Sequence, residues 1–446
     1  MEFKIHGSKN FNPEFMIMAP PGGTTLINYN FCTRSVFLFV PTYFLTLLVT
    51  STLLISTPKG SLTRYASLPI IAYLCLRIFN YGAATFPHNV VGLIDWAGSA
   101  YNVFLISSTL LQLEGIDSTD PVISKPVNGR PPGYFTRLWR GLSYCVNVRG
   151  INTPYQIKNV PAFDSKRPGW VPSRRRFLAT STAWFLVLYL AQDFFYSQEI
   201  TKEDEVKFLG INRENLFWRH PQDGSITGDE MGYRIAVTGL MWSILIPLSV
   251  NLQYTFLSIL AVGTGVSEPK NWPPPFGSPK DSYTLRLFWG KFWHQTLRWH
   301  FSKPAQFITH QIFQLPKTGL IQRYVNTYGV FLISGIWHAG QSWLMLHSQG
   351  PEIQQAGWNR ELFFFTVMAT GIMIEDGVQW LFRSQKVRNG EEKEGLVVWK
   401  RAIGYIWVWG LLVLVAPFID YPKFRGRSAT FLPAHPLIIL DPEWKN

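Results

Sequence analysis

The chain has 446 residues, of which 47% are hydrophobic and only 15% are charged. Soluble domains usually carry about a quarter charged residues, so this composition excludes an ordinary water-soluble globular protein and indicates an exterior that faces lipid. The formal net charge of +13 suits anionic lipid headgroups or an anionic substrate. We do not expect a nucleic-acid partner, because the basic residues are spread between apolar stretches. The three cysteines have scattered positions that indicate neither a disulfide framework nor a metal site.

The N-terminal residues are polar and rich in proline and glycine, without the basic-then-apolar order of a secretory signal. The first apolar stretch, residues 36–56, is long enough to span a bilayer, since about 20 residues are required. We therefore expect a polar N-terminal segment (1–35), a single membrane-embedded domain (36–420) and a C-terminal tail (421–446).

Apolar stretches along the domain predict an all-α, polytopic bundle of about eight transmembrane helices. The predicted spans are residues 36–56, 66–86, 91–111, 177–197, 235–264, 322–346, 361–382 and 399–419. The fifth is long enough for one tilted helix or two short ones, and Pro247 is expected to kink it.

The charge of the loops gives these helices an orientation, because short basic loops stay on the cytoplasmic side. Segment 112–176 carries eleven Lys and Arg residues and is therefore predicted to be cytoplasmic. Segment 198–233 carries four basic residues against eight acidic ones, which indicates the lumenal side. Segment 265–303 is basic again, so the chain returns to the cytoplasm there.

The sixth predicted span contains His338, and residues 324–346 of this span include no Asp, Glu, Lys or Arg. An ionisable side chain at membrane depth is costly and by default marks a function or a transport pathway. The alternative is a neutral imidazole that hydrogen-bonds between helices. Its helical neighbours are small residues that allow close approach and polar residues on the same face: Gly335, Gly340, Ser334 and Gln341.

Segment 285–301 is a second candidate. A helix here would place His294 on one face with two basic residues, Lys291 and Arg298. A second stripe is aromatic: Trp289 and Trp293. The pattern alone predicts an interfacial amphipathic helix that anchors in headgroups. Its functional interpretation is a basic face that binds the phosphates of a nucleotide-like cofactor, with His294 facing the reaction.

The sequence Phe-Trp-Gly-Lys-Phe-Trp-His-Gln ends at Gln295, and Phe-Leu-Ile-Ser-Gly-Ile-Trp-His ends at His338. In this order the two motifs resemble the paired signature of the wax synthase-like branch of the membrane-bound O-acyltransferases. The stretches Arg-Gly-Ile-Asn from Arg149 and Gly-Ile-Met-Ile-Glu-Asp-Gly-Val from Gly371 are also similar to that branch. The chain most resembles its fungal members that O-acylate secondary metabolites.

The resemblance implies that His338 is the catalytic intramembrane histidine and that His294 occupies the family's second polar position. This chain departs from the pattern of plant wax synthases at two residues. The plant enzymes tend to carry Asn at the position of His294 and an acidic residue at the position of Ala339. Both departures favour acetyl transfer over the formation of long-chain waxes.

We therefore expect an O-acetyltransferase that transfers an acetyl group from acetyl-CoA to a hydroxyl of a hydrophobic terpenoid or meroterpenoid. It would have no permanently bound cofactor and no metal, and it would lie in the endoplasmic reticulum membrane in contact with lipid. His338 would be the general base, and a polar side chain such as His294 would stabilise the oxyanion. The expected cofactor-binding residues are Lys291, Arg298, Trp289 and Trp293. The expected supporting residues are Ser334, Gln341, Glu375 and Asp376.

Two other functions stay open at this point. One is a long-chain acyl-CoA:alcohol or sterol acyltransferase. The other is a membrane transporter with His338 in its pathway, although the chain shows no inverted repeat of the kind common in transporters.

Overall fold

The computed structural model describes residues 29–85, 100–198, 200–216, 219, 224–347, 359–389 and 394–425. Within these ranges the secondary structure is helical, without a β-strand, as the sequence predicts. The helices in chain order are α1 (Tyr29–Ser56), α2 (Leu62–Thr85), α3 (Ala100–Leu113), α4 (Tyr134–Val146), α5 (Arg174–Tyr196), α6 (Lys202–Phe208), α7 (Gly228–Leu240), α8 (Ile246–Gly263), α9 (Leu285–Leu287), α10 (Arg298–Phe307), α11 (Leu320–His347), α12 (Asn359–Asn389), α13 (Glu394–Val415) and α14 (Pro417–Phe424).

In the described part of the chain, five helical stretches are long and apolar enough to cross a membrane: Phe37–Ser56, Leu62–Tyr81, Arg174–Phe195, Gly228–Gly263 and Val398–Val415. They match the first, second, fourth, fifth and eighth predicted spans. The third predicted span lies partly outside the described residues. Helices α11 and α12 cover the sixth and seventh, but neither is among the five candidate spans of the described residues, so the predicted count of eight spans is not confirmed.

The five apolar helices expose large hydrophobic side chains on their outer faces. Phe37 on α1 is 76% exposed, Leu76 on α2 is 61% exposed and Trp184 on α5 is 53% exposed. Contiguous apolar surface of this kind is rare on soluble monomers. Lipid is therefore the natural solvent of these faces, which fits a protein of the membrane.

The fifth predicted span is one continuous helical stretch formed by α7 and α8. A π-turn, Met241–Leu245, joins the two helices directly before Pro247. Proline lacks an N–H and disturbs the regular hydrogen-bond ladder, so a local change of helix type is expected next to it. The turn places Trp242 in the protein core, where it is 4% exposed.

The segment 285–301 is not the single helix that the sequence predicts. α9 is one turn long and continues as a π-turn, Phe288–Phe292, after which Trp293 adopts an extended conformation (φ −63°, ψ 149°). Regular helix resumes only at α10. The interruption is held by hydrogen bonds: the Gln295 amide donates to the carbonyl oxygens of Trp289 and Trp293, at 2.9 and 2.5 Å. Tertiary contacts thus override the helical periodicity of this segment.

The interrupted segment is buried in an aromatic core that α12 and α13 complete. Phe288 and Phe364 are fully buried, and Trp293 is 7% exposed. Helix α14 packs at the end of this core. It includes residues on both sides of position 420, where we expected the membrane domain to end. Tyr421 is 1% exposed, so the C-terminal tail packs into the domain for at least the length of α14.

Candidate active site

His338 lies on α11 with a defined tautomer. Its Nδ1 is 2.8 Å from the backbone carbonyl oxygen of Ser334, one helical turn earlier. A carbonyl oxygen can only accept, so Nδ1 carries the proton and donates it to this bond. The Ser334 hydroxyl is also near, at 3.4 Å from Nδ1. Because both contacts involve Nδ1, Nε2 is the nitrogen whose lone pair is left to accept a proton.

Aromatic rings surround this imidazole. The Trp337 ring lies 4.6 Å from it in an edge-to-face arrangement, and the Phe365 ring of α12 lies 4.6 Å from it on another side. α12 comes close because Gly335 has no side chain, and a Cβ there would lie 3.2 Å from Leu362. The close helix approach predicted at Gly335 is therefore confirmed. At Gly340 no such approach exists, since no described atom would lie within 4 Å of an added Cβ.

His294 lies in the irregular stretch between the π-turn and α10. Its Nδ1 is 2.8 Å from the hydroxyl of Thr296. The ring packs against Trp293 and against Phe276, with centroids 5.6 and 5.5 Å away. Burial, together with the positive charge of Arg149, lowers the pKa of His294 to about 4. The imidazole is therefore neutral at physiological pH.

The fold brings the two histidines to the same part of the core. From His294 a continuous series of ring contacts runs through Trp293, Trp289 and Phe365 to His338, with centroid separations of 5.6, 5.8, 6.1 and 4.6 Å. Residues that are 44 positions apart in the chain thus line one region.

Trp289 and Trp293 face the protein interior rather than lipid headgroups. Trp293 stacks on Phe288 with ring centroids 5.4 Å apart and lies 5.0 Å from Trp242 of the π-turn before α8. Trp289 contacts Phe331 of α11 edge-to-face at 5.7 Å. These contacts make the aromatic stripe part of the wall between the two histidines, not a surface anchor.

The two predicted phosphate-binding cations do not share a helical face. Lys291 is on the π-turn, about half exposed, and pairs with Asp281 at 3.0 Å. Arg298 begins α10 and donates to the Gly290 carbonyl oxygen and the Gln295 amide oxygen, both at 2.8 Å. Among the described residues Arg298 forms no ion pair with a carboxylate. Both cations nevertheless remain on the segment that carries His294.

The predicted supporting residues divide into two groups. Ser334 and Gln341 are on α11 beside His338, as the helical spacing requires. Glu375 and Asp376 are on α12 and contact the start of the His294 segment instead. Glu375 accepts the backbone N–H of Leu285 at 2.6 Å, and Asp376 pairs with Arg286 at 2.5 Å and with Arg323 at 3.0 Å. Their contacts hold α9 and α11 against α12.

Arg149 is a residue whose part in the site the sequence alone did not reveal. Its side chain is 2% exposed. It donates to the carbonyl oxygens of Pro273 and Pro274, at 2.5 and 2.8 Å, and to the Tyr254 hydroxyl at 2.6 Å. The loop it holds continues to Phe276, which packs on His294. The available signal was its place in the Arg-Gly-Ile-Asn stretch, but nothing local indicates which loop it binds.

Potential metal ligands do not gather anywhere in the described part of the chain: no three or more His, Cys, Asp or Glu side chains form a group that could hold a metal ion there. The polar groups of the site are those of two neutral histidines, hydroxyls and cations. Such a set suits proton transfer and the binding of an anionic co-substrate.

Comparison with known proteins places this geometry in a family. The profile of the family described as "Membrane bound O-acyl transferase family" matches residues 272–367, which include both histidines and most of the aromatic wall. The acetyltransferase atnC of an Arthrinium species is 32% identical over 404 residues, covering 87% of this chain and 88% of that protein. The acetyltransferase nanB of Aspergillus nanangensis is 31% identical over 87% of the chain and 90% of its own length.

A further relative is the acetyltransferase TRI7 of Fusarium sporotrichioides, 29% identical over 84% of each chain. These matches extend over nearly the full length of both partners, far beyond the two histidine motifs. Identity at this level over such lengths reflects common descent of the whole fold rather than convergence on a short motif. The chain therefore belongs to the membrane bound O-acyl transferase family and is an acyl-transferring enzyme.

Proposed function

We propose that the protein is an O-acetyltransferase that transfers an acetyl group from acetyl-CoA to a hydroxyl of a hydrophobic secondary metabolite, a terpenoid or meroterpenoid. The relatives named above carry the name acetyltransferase, which supports the acetyl donor. The exposed apolar helices support an acceptor that dissolves in the membrane. The organelle that we propose is the endoplasmic reticulum.

The tautomer of His338 is the observation that carries the proposed mechanism. With Nδ1 donating to the Ser334 carbonyl oxygen, Nε2 can take the proton of the acceptor hydroxyl as its oxygen attacks the thioester carbonyl carbon. The resulting tetrahedral intermediate collapses when the C–S bond breaks. The sulfur leaves as CoA thiolate and recovers the proton from Nε2. No acyl-enzyme is needed, and His338 returns to its starting state.

His294 is the proposed donor to the oxyanion. A neutral imidazole can present one N–H to a negative oxygen, and in a buried site such a bond is stronger than in water. Lys291 and Arg298 are the proposed contacts of the CoA phosphates. This proposal is supported by their charge and by the absence of a carboxylate partner for Arg298 among the described residues. Trp289 and Trp293 would then line the path of the donor toward His338.

Acyl chain length is tested by direct competition. Microsomes that contain the chain receive equal concentrations of acetyl-CoA and palmitoyl-CoA, with a panel of hydroxylated terpenoids. We expect acetyl esters to dominate, because the rings of Trp337 and Phe365 pack directly against His338 and forcing extra methylenes into a filled site costs about 1–3 kcal/mol. Product masses identify both the donor and the acceptor.

A dominant palmitoyl ester would instead support the long-chain alcohol or sterol acyltransferase. Microsomes that lack the chain are the matched control, since any ester that they form comes from another enzyme. Transport of a terpenoid without a change in its mass would contradict both enzymatic proposals.

A further inference from the structure

His300 is a buried histidine that the proposed mechanism does not use. It lies in the first turn of α10, is 1% exposed and stacks on the ring of Trp299 at 5.2 Å. Neither Nδ1 nor Nε2 has a hydrogen-bond partner among the described residues. Burial lowers the pKa of His300 to about 3, so the ring is neutral and presents one N–H donor and one acceptor. Buried polar atoms are normally paired, and two unpaired ones on a single ring call for an explanation.

The position of His300 along α10 points to a ligand of the active site. α10 and α11 pack in antiparallel directions: a Cβ on Gly329 would lie 3.1 Å from the Cβ of Ala305, and the Phe301 ring lies 6.2 Å from Trp337. His300 is one residue, or about 1.5 Å of helix rise, from Phe301. It therefore lies at the level of Trp337 and His338 along this helix pair.

A third unpaired group lies at the same level. The indole N–H of Trp337 is buried and also lacks a partner among the described residues. Its ring contacts both Phe301 and His338. At the level of His338, α10 and α11 thus carry two N–H donors and one nitrogen acceptor that have no hydrogen-bond partner among the described residues.

The chemistry of the donor identifies what can fill these positions. Between its phosphates and its thioester, CoA carries the pantetheine arm, whose hydrogen-bonding groups are two secondary amides and one hydroxyl. Each amide offers a carbonyl acceptor and an N–H donor, which complement the donor and acceptor of a neutral imidazole. α10 begins at Arg298, a proposed phosphate contact, and reaches the level of His338 within one turn. An arm that extends from Arg298 to His338 therefore passes the level of His300.

We propose that His300 binds an amide of the pantetheine arm and so positions the thioester of acyl-CoA at His338. The inference rests on the proposed acyl-CoA donor. It assigns His300 a part in binding the donor rather than in the chemical step, and it assigns none in binding the acceptor.

The test measures binding, so that it does not depend on turnover. Full-length chain in lipid nanodiscs is titrated with CoA and, separately, with adenosine 3′,5′-bisphosphate, which has the nucleotide phosphates but no pantetheine. We expect His300→Phe to weaken binding of CoA about 5- to 30-fold, the loss expected for one or two buried hydrogen bonds, and to leave the bisphosphate unchanged. His300→Asn, which restores a donor and an acceptor, should bind CoA more tightly than His300→Phe.

The matched control is His310→Phe. His310 is a partly buried histidine on the π-turn after α10, with Nδ1 3.1 Å from the Leu315 carbonyl oxygen, and its replacement should change neither affinity. His300→Phe keeps the ring stack on Trp299 and removes only unpaired atoms, so its unfolding temperature should equal or exceed that of the wild type. A structural role predicts a lower unfolding temperature and equal losses for both ligands.

If His300→Phe bound CoA as tightly as the wild type does, the proposal would be wrong. Bound water would then be the hydrogen-bond partner of the His300 ring nitrogens. An equal loss for CoA and the bisphosphate would overturn the proposal as well. If the wild-type chain itself bound no CoA, both the proposed function and this inference would be wrong. The other two results would contradict the inference alone.

Discussion

His338 holds a proton on Nδ1, so the lone pair on Nε2 can accept a second proton. The bond from Nδ1 to the Ser334 carbonyl oxygen is to backbone, so it persists whatever side chain stands at position 334. The helix itself thereby fixes the orientation of the base. A histidine that served only to join helices would be expected to bond to a neighbouring helix, whereas the partner found for Nδ1 is on α11 itself.

We expect His338→Ala to lower acyl transfer by about 10²- to 10⁴-fold, the usual contribution of a general base, while the protein inserts into membranes at normal abundance. Initial rates with purified protein and its quantified amount in membranes measure the two effects. The control is His310→Ala, which removes a histidine with a similar bond from Nδ1 to a backbone carbonyl oxygen. Near-normal turnover of His338→Ala would reject His338 as the base.

At the scale of elements, the position of His294 depends on how closely the loop before α9 approaches the π-turn Phe288–Phe292. The backbone N–H of Gly277 donates to the Phe292 carbonyl oxygen at 2.8 Å. A Cβ at Gly277 would overlap the carbonyl oxygen of Lys291. Only glycine therefore permits this contact, which brings Phe276 against His294.

We expect Gly277→Ala to separate the loop from the π-turn and to lower kcat/KM by at least tenfold, because small displacements of reacting groups are costly in a preorganised site. Gly290→Ala is the matched control on the same π-turn, since no described atom would lie within 4 Å of its Cβ. Steady-state kinetics of the two variants provide the comparison. Equal activities would show that the close approach at Gly277 does not position the site.

At the scale of the whole molecule, a buried carboxylate joins three distant parts of the chain. Glu214, 2% exposed, pairs with Arg360 at the start of α12 and with Arg425 just after α14. Arg360 also donates to the Phe418 carbonyl oxygen at 3.1 Å. These contacts close the end of the bundle that includes the C-terminal end of α11, the end nearer to His338.

Removing this carboxylate is predicted to cost stability rather than chemistry. Glu214→Gln leaves two largely buried guanidinium groups without a counter-charge, and breaking a buried pair typically costs about 3–5 kcal/mol. We expect a clear fall in the unfolding temperature in detergent, with kcat retained in the protein that stays folded. Glu268→Gln breaks the exposed pair with Lys270, which is worth at most about 1 kcal/mol, and serves as the control. Equal unfolding temperatures for the two variants would contradict the role of Glu214.

The site could be recognised in the sequence because two of its properties are local. The rarity of an ionisable residue in an apolar stretch marks His338, and the order of the two histidine motifs indicates the family. Burial and apolar length are likewise encoded in consecutive residues, so an all-helical fold and five of the spans follow from the sequence alone. The basic loops predict an orientation by the same local logic.

Tertiary structure alone decided how the His294 segment is shaped and held. Helical periodicity predicts one helix over 285–301, but contacts from remote segments interrupt it. Asn159 donates to the Gly290 carbonyl oxygen across 131 positions of the chain, at 2.9 Å, and Glu375 binds the backbone of Leu285 across 90 positions. A one-dimensional pattern records which residues prefer burial or helix, yet it cannot record which distant carbonyl or amide a side chain will meet. That information exists only once α12, the loop at Arg149 and the π-turn have packed together.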